Sequence, residues 1–171
     1  MDQNDNAKAR GDASTQNNQP IRFAGSQLGT QRHVCAFFHN PDEEYRVLLP
    51  FIKDGFECGH KAFHIVDPDR REEHLRRLES AGIDVTKAQR SGQFSLFDWH
   101  AAYFQHGHFD QNKPLALIEE VLNDGARQGF SLTRAVGHVE WAPEERQDLE
   151  NWVEYEAKLN YILPRYKDPV I

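Results

Sequence analysis

A chain of 171 residues is long enough for one compact domain with some length to spare. Hydrophobic residues make up 39% and charged residues 27%, and 20 Lys and Arg against 27 Asp and Glu leave a net charge of -7. That balance argues against direct nucleic-acid binding and against an electrostatic grip on an anionic membrane. No apolar run approaches the roughly 20 residues that span a bilayer, and the first residues lack the basic-then-apolar layout of a secretory signal. Two cysteines, Cys35 and Cys58, are too few for a disulfide scaffold, so a cytoplasmic protein with reduced thiols is expected.

Residues 1–20 are rich in Asn, Gln, Asp and Ser, with no large apolar residue after Met1. Such a segment buries too little surface to offset its ordering entropy and reads as a disordered tail. The remainder, 21–171, reads as one α/β domain that begins with a loose lead-in over 21–28. An apolar run predicts a first strand over 33–38. Asn40, Pro41 and the acids Asp42, Glu43 and Glu44 then open a helix with a cap, a ring-fixed first position and charges that suit its positive end. Val47, Leu48, Phe51, Ile52 and Phe56 share its inner face, with a bend expected near Pro50. A second strand follows over 61–66. Asp67-Pro68-Asp69 starts a second helix with Leu75 and Leu78 inward and Gly82 as its stop.

A third strand is predicted over 93–97, after a short edge piece over 83–85. A helix over 114–128 carries Leu115, Ile118, Val121 and Leu122 at core spacing, and a fourth strand covers 131–136. Pro143 opens the last helix, with Leu149, Trp152, Val153, Leu159 and Leu163 on one stripe. Residues 169–171 look like a strand cut off by the chain end. This alternation implies an α/β protein with a mostly parallel sheet covered by helices on both faces. Ligands in such sheets sit at the carboxyl ends of the strands, which here carry His39 and Asn40, Asp67, Asp98-Trp99-His100, and Gly137-His138-Val139-Glu140-Trp141.

A phosphate-binding loop needs glycines, a lysine and a hydroxyl opening the helix. The turn from Phe38 to Glu44 has no glycine and no lysine, and Pro41 removes an amide donor. Three acids stand where a phosphate would sit, and like charges repel.

Several short motifs occur in order: His33-x-Cys35-x-Phe37, Pro50-Phe51-Ile52-x-x-Gly55, Gly59-His60, Arg134-x-x-Gly137-x-x-x-Trp141, Tyr155-Glu156-x-x-Leu159-Asn160 and Leu163-Pro164-Arg165-Tyr166. Together they resemble the MEDS domain, the methanogen/methylotroph, DcmR sensory domain, over about 32–171. The resemblance implies a RecA/KaiC-like three-layer sandwich that lacks a functional phosphate loop. It also implies a domain that senses small hydrocarbon derivatives and signals to attached regulatory modules. Where the family often shows Gly-Glu ahead of the tryptophan, this chain has Gly137-His138-Val139-Glu140. No helix-turn-helix or kinase module is evident, so the output is expected to come from another protein.

Individual residues admit more than one role. His33 and Cys35, two apart on a strand, point to one face and could contact ligand or form half a zinc site. No second pair has ligand spacing, and a buried small thiol with a satisfied histidine is the simpler reading. His100, His106 and His108 could bind metal or sense pH, but such a segment is more often a partly exposed loop. The aromatics Phe97, Trp99, Tyr103, Phe104 and Phe109 either form the lid of an apolar pocket or pack as core. Arg134, His138 and Glu140 share a face of the fourth strand. Glu156 falls on the apolar stripe of the last helix and needs a partner, with Arg134 or His138 the nearest by topology. A structural Arg134–Glu156 ion pair is the first reading and a ligand-orienting role the second.

The expected function is therefore a non-catalytic sensor of a small, mainly apolar organic molecule, with no cofactor and no metal. Walls would come from Phe97, Trp99 and Trp141, and polar contacts from His138, Glu140 and Arg134. His33, Cys35, Phe37, His39, Asp67, His100 and Glu156 complete the candidate ligand-binding set. The expected partner is a histidine kinase or transcription factor, and assembly as a homo-oligomer is compatible with the sequence. Two rivals stay open: a ligand-free interaction scaffold, and a metal-dependent enzyme using the histidine-rich loop.

Overall fold

The structure is a computed structural model and describes residues 20–105, 108–139 and 146–171. The expected tail, His106, Glu140, Trp141 and the helix start at Pro143 lie outside the described residues. The lead-in is ordered rather than loose. β1 (Arg22–Phe23) and β2 (Ser26–Gln27) form a hairpin closed by Ala24 and Gly25, both at positive φ, the two-residue turn whose twist suits paired strands. Ile21 and Phe23 are buried, and the Phe23 ring meets Phe51 edge-on.

The expected first strand is reduced to a single parallel bridge between His33 and Val170. Residues 34–38 keep the alternation of a strand, with Val34, Ala36 and Phe38 packed toward the core and Phe37 94% exposed. They lack a ladder because beyond the bond from Val34 N to Val170 O the chain turns toward the Asn40 cap. α1 (Pro41–Glu57) follows and runs on through Pro50.

β3 (Lys61–Val66) is buried along its whole length. A 3-10 turn (Pro68–Arg70) capped by Asp67 leads into α2 (Arg71–Ser80). The expected edge piece over 83–85 is instead the start of α3 (Val85–Arg90), because Asp84 caps it by accepting from Lys87 N. β4 (Phe94–Asp98) is followed by α4 (Trp99–Tyr103), then by the short pair β5 (Phe104–Gln105) and β6 (His108–Phe109). α5 (Asn112–Arg127), β7 (Thr133–Gly137) and α6 (Arg146–Ile162) complete the regular elements, with a 3-10 turn (Leu163–Arg165) after α6.

β3 lies between β4 and β7, parallel to each. The sheet is carried outward by the bridge from Ala135 to Val170, and from Val170 to His33. Alternation along the strands divides the core. Ala62, Phe94 and Val136 pack with Leu48, Phe51 and Ile52 of α1, Leu78 of α2 and Val85 and Ala88 of α3. Phe63, Ile65 and Ala135 pack on the other side with Tyr103 of α4, Ile118 and Leu122 of α5 and Leu159 of α6. The expected α/β class with a parallel sheet and a helical layer on each face is thus present.

One stripe was misread. Leu149 and Val153 of α6 are 41% and 60% exposed, because the face that enters the core runs through Trp152, Tyr155, Leu159 and Leu163. Gly137 closes β7 for a steric reason. A Cβ there would sit 2.6 Å from the Tyr103 hydroxyl, so only glycine lets that ring close over the strand end.

Candidate functional site

The turn before α1 spends its own donors. Asn40 Oδ1 accepts from Glu43 N at 2.9 Å, Pro41 has no N–H, and Glu43 accepts from both the backbone N and ring Nδ1 of His39 at 2.8 Å. These bonds hold the Glu43 carboxyl below its usual range. A phosphate would have to displace a carboxylate from this helix end.

Behind that turn lies a buried polar group at the carboxyl edge of the sheet. His64 on β3 and His138 just past β7 come up on the face covered by α1 and α2, while Glu44 and Tyr45 come from the first turn of α1 and His74 from α2. The Tyr45 hydroxyl lies 2.7 Å from His74 Nδ1, and His74 Nε2 lies 2.9 Å from His64 Nδ1. A neutral imidazole carries one donor and one acceptor, so this three-member chain is satisfied with its protons running in either direction. Burial keeps both rings neutral: it pushes His64 down to about 3 and His74 down to about 2, and the neighbouring imidazoles, with Arg70 and Arg71 beside His74, make a further positive charge there less favourable still. Burial also pushes the Tyr45 hydroxyl well up. The His138 ring stands edge-on to His74 at 5.8 Å, with Nε2 3.4 Å from Glu44 Oε1. Glu44 in turn accepts from Arg70 at 2.8 Å, and Arg77 lies over the Tyr45 ring.

A second group gathers at the outer edge of the sheet. His33 and Cys35 leave the extended segment on one side, and Glu156 and Asn160 stand one turn apart on α6. Cys35 Sγ donates to Glu156 Oε2 at 3.1 Å, His33 Nε2 lies 3.2 Å from the same oxygen, and His33 Nδ1 lies 3.1 Å from Asn160 Oδ1. Burial pulls the His33 pKa down, but the bonds to Glu156 and Asn160 and the Glu156 charge outweigh it and leave a net rise. Burial, then the bond to Glu156 and its charge, pushes the Cys35 thiol up to about 12. That thiol is no nucleophile at neutral pH.

The expected Arg134–Glu156 pair is therefore wrong. Arg134 sits near the amino end of β7, where its guanidinium donates to Phe51 O at 2.6 Å, to Asp54 and to His60 Nδ1 at 3.1 Å. Its stem fills the space where a Cβ on Gly55 would lie. Arg134 and His138 share a face, as read from the alternation, but opposite ends of the strand hold them apart. Burial, then Arg134, pushes His60 down to about 4.

The other candidates scatter. Phe37 and His39 are exposed, and Asp67 is occupied with capping the turn at Asp69 N. Phe97 is 38% exposed and leans on Phe63 with ring centres 5.3 Å apart. Trp99 Nε1 donates to His100 Nδ1 at 3.0 Å, and Trp99 packs against the core. Tyr103 and Phe109 are buried, which favours core over lid for that part of the aromatic segment. The only group of three or more His, Cys, Asp or Glu donors able to meet at one point among the described residues is His33, Cys35 and Glu156. His100 and His108 take part in none. A shallow hollow of about 240 Å³ lies at the opposite end of the sheet, between Phe56, Ile83, Lys87 and Gln93. It is open and rimmed by charge, unlike the enclosed apolar site a small organic molecule selects.

Sequence reasoning missed Glu44, Tyr45, His64, Arg70 and His74. A signal was present: His74 lies four residues before Leu78 on the inner stripe of its helix, and His64 stands within an otherwise apolar strand.

The described structure is thus an α/β sheet with a buried polar group beside its carboxyl ends and a helix start whose donors are already engaged. The model of the MEDS family, the MEthanogen/methylotroph, DcmR Sensory domain, matches residues 32–169, and the chain belongs to this family. It is also 24% identical over 158 residues to the transcriptional repressor DcmR of Methylorubrum extorquens (strain DSM 6343 / CIP 106787 / DM4). That match covers 92% of this chain and 56% of the repressor, so the chain spans about half the length of the curated relative it matches. No solved structure matches. Among the described residues no helix is long and apolar enough to cross a membrane.

Proposed function

We propose that this sensory domain binds a small, mainly apolar organic molecule, a hydrocarbon derivative, at the carboxyl ends of its parallel strands and passes the bound state to a regulatory protein without catalysis. The observation that carries this reading is the family match over residues 32–169. The site adds support. Phe97 offers an apolar wall beside the strand ends, Trp99 follows shortly after it, and His138 with Glu44 supplies a buried polar contact below them. The wall read for Trp141 and the contact read for Glu140 fall outside the described residues. Arg134, at the far end of its strand and bonded to Phe51 O and His60, is left out of this reading. The reading includes descent from a RecA/KaiC-like nucleotide-binding sandwich whose phosphate turn has been rewritten around Asn40, Pro41 and Glu43.

Thermal denaturation across halogenated, aromatic and short-chain organics tests it. A ligand that binds only the folded state adds about 2.7 kcal/mol at a hundredfold excess over its Kd. One class of compound raises Tm, and His138→Ala abolishes the rise. Flat curves across the panel overturn the sensor, and a saturable rise with Mg·ATP overturns the rewritten turn.

A scaffold reading has one observation in its favour. Leu149, Val153 and Tyr161 recur at four- and eight-residue steps on α6 and are exposed, Tyr161 by 82%. In the sensor reading the same stripe serves as the output face toward a histidine kinase or transcription factor. Co-purification with such a regulator in the absence of any retained small molecule would favour the scaffold.

A further inference from the structure

We propose that His33, Cys35 and Glu156 form a binding site for one zinc ion, with Asn160 positioning the histidine. The three side chains bring an imidazole, a thiol and a carboxylate to one point, with their donor atoms all within 4.8 Å of one another. The ion takes the place of the thiol proton, which is released to solvent as the Zn–S bond forms. Glu156 Oε2 stands 3.2 Å from His33 Nε2 and 3.1 Å from Cys35 Sγ. Zinc bonds to nitrogen, oxygen and sulfur place neighbouring donors of a tetrahedral site about 3.3–3.6 Å apart. The two pairs that share Glu156 Oε2 therefore open only slightly to admit the ion, and the histidine and cysteine donors, within 4.8 Å of each other, adjust to the same spacing.

The donor arithmetic points the same way. Asn160 Oδ1, 3.1 Å from His33 Nδ1, is an acceptor and takes that N–H. Nε2 then turns a lone pair toward a carboxylate oxygen, and two acceptors facing each other call for a cation between them. A proton fills that role in the metal-free protein, and a metal ion fills it in the loaded one. A metal-bound histidine commonly donates its other ring N–H to a carboxylate or carbonyl oxygen, and the Asn160 side-chain carbonyl fills that place here. Mixed sulfur, nitrogen and oxygen donors suit zinc and disfavour the hard ions magnesium and calcium. Three protein ligands leave a fourth position, and exposure of Cys35 opens it to water or to a ligand heteroatom. His33 and Cys35 lie more than a hundred residues before Glu156. The ion would therefore staple the sheet edge at the Val170 bridge to α6. The site stands on its own geometry and does not depend on the hydrocarbon-sensing reading.

Cobalt(II) is the probe, titrated into the chain in reducing buffer with no polyhistidine tag. The expected result is one Co²⁺ per chain, tetrahedral-type visible absorption and a near-ultraviolet sulfur-to-cobalt band, all removed by one equivalent of Zn²⁺. Cys35→Ser loses the band and weakens binding at least a hundredfold. Asn160→Ala keeps the band but weakens binding tenfold to a hundredfold, a pattern that mere loss of packing does not give. A double His100→Ala, His108→Ala variant binds as the parent does. Absence of the band, binding unchanged by Cys35→Ser, or binding lost in the double variant each overturns the proposal. Far-UV circular dichroism checks each fold. Cys35 is exposed, so if Glu156→Gln fails to fold, Cys35→Ser still decides.

Discussion

The two histidine groups of this molecule are built from the same side chain and behave in opposite ways. His64 and His74 are 1% and 0% exposed and hydrogen-bond only to each other and to a tyrosine hydroxyl among the described residues, so no carboxylate pairs with either ring. Nothing there compensates the desolvation of an imidazolium, and burial drives the rings neutral. His33 is also largely buried, but it faces a carboxylate, and that one neighbour reverses the outcome. What surrounds a buried ring, and not burial by itself, decides whether it acts as neutral polar cement or as a place that demands a cation. The first group lies under the face where α1 and α2 close the carboxyl end of the sheet. The second lies at an edge held by a single bridge.

Acid breaks the comparison most strongly. His64 and His74 have folded-state values far below the 6.5 of the free side chain. The unfolded chain therefore binds protons that the folded chain refuses, and stability falls as pH drops below about 6.5 and continues to fall toward the folded values. Each ring contributes up to about 1.4 kcal/mol per pH unit in that window, so the pair costs about 5 kcal/mol by pH 4.5. Urea denaturation at stepped pH measures it, and a flat profile between pH 6.5 and 4.5 would contradict neutral burial of the pair.

Removing the middle of the chain comes next. His74→Ala leaves the Tyr45 hydroxyl and His64 Nδ1 without their shared partner and opens a cavity under α2, an expected loss of about 3–4 kcal/mol in urea. Tyr45→Phe keeps the ring and removes one bond, with an expected loss of about 1–2 kcal/mol. It should also narrow the acid dependence little, because His64 and His74 remain buried. If the phenylalanine variant loses as much as the alanine variant, the chain acts through ring packing rather than through its hydrogen bonds.

The regular frame was legible in the sequence where local chemistry and burial agree. β3 falls on the residues read for it, and the α1 start was visible in Asn40, Pro41 and the acids, because cap, ring and charge act within one turn. The predicted strand over 33–38 failed because a strand needs a partner, and partnership is not a local property. The segment kept its alternation but found a neighbour only at Val170. The site was half legible for the same reason. Cys35 and His33 could be placed on one face from spacing alone, and Glu156 announced itself as a charge on an apolar stripe, yet its partner was assigned to Arg134. Topology places both Arg134 and His33 near the core, and only the register shows that Arg134 belongs to the amino end, beside Asp54 and His60. Glu44 was read as a helix-start acid, which it is, with no hint that Arg70 and His138 would close on it.

Glu156→Gln has the smallest effect on stability and sharpens the comparison most directly. The variant keeps the shape of the side chain and removes the charge that holds His33 above its ordinary value. In the parent, the protonated ring binds its neighbours better folded than unfolded. That contribution is complete below about pH 6.5, the free-histidine value, and is lost as pH rises through the raised folded value, the reverse of the His64 and His74 dependence. The Glu156 side chain is 20% exposed, so water screens the pair and the stability change stays under about 1 kcal/mol. The ring itself reports more than the melting curve. In the metal-free protein, the His33 resonances should titrate above 6.5 in the parent and fall below it in the variant, where desolvation is no longer opposed by a carboxylate. An unchanged His33 titration would mean that Asn160, and not Glu156, sets the state of the ring, and the contrast between the two histidine groups would then rest on a hydrogen bond rather than on charge.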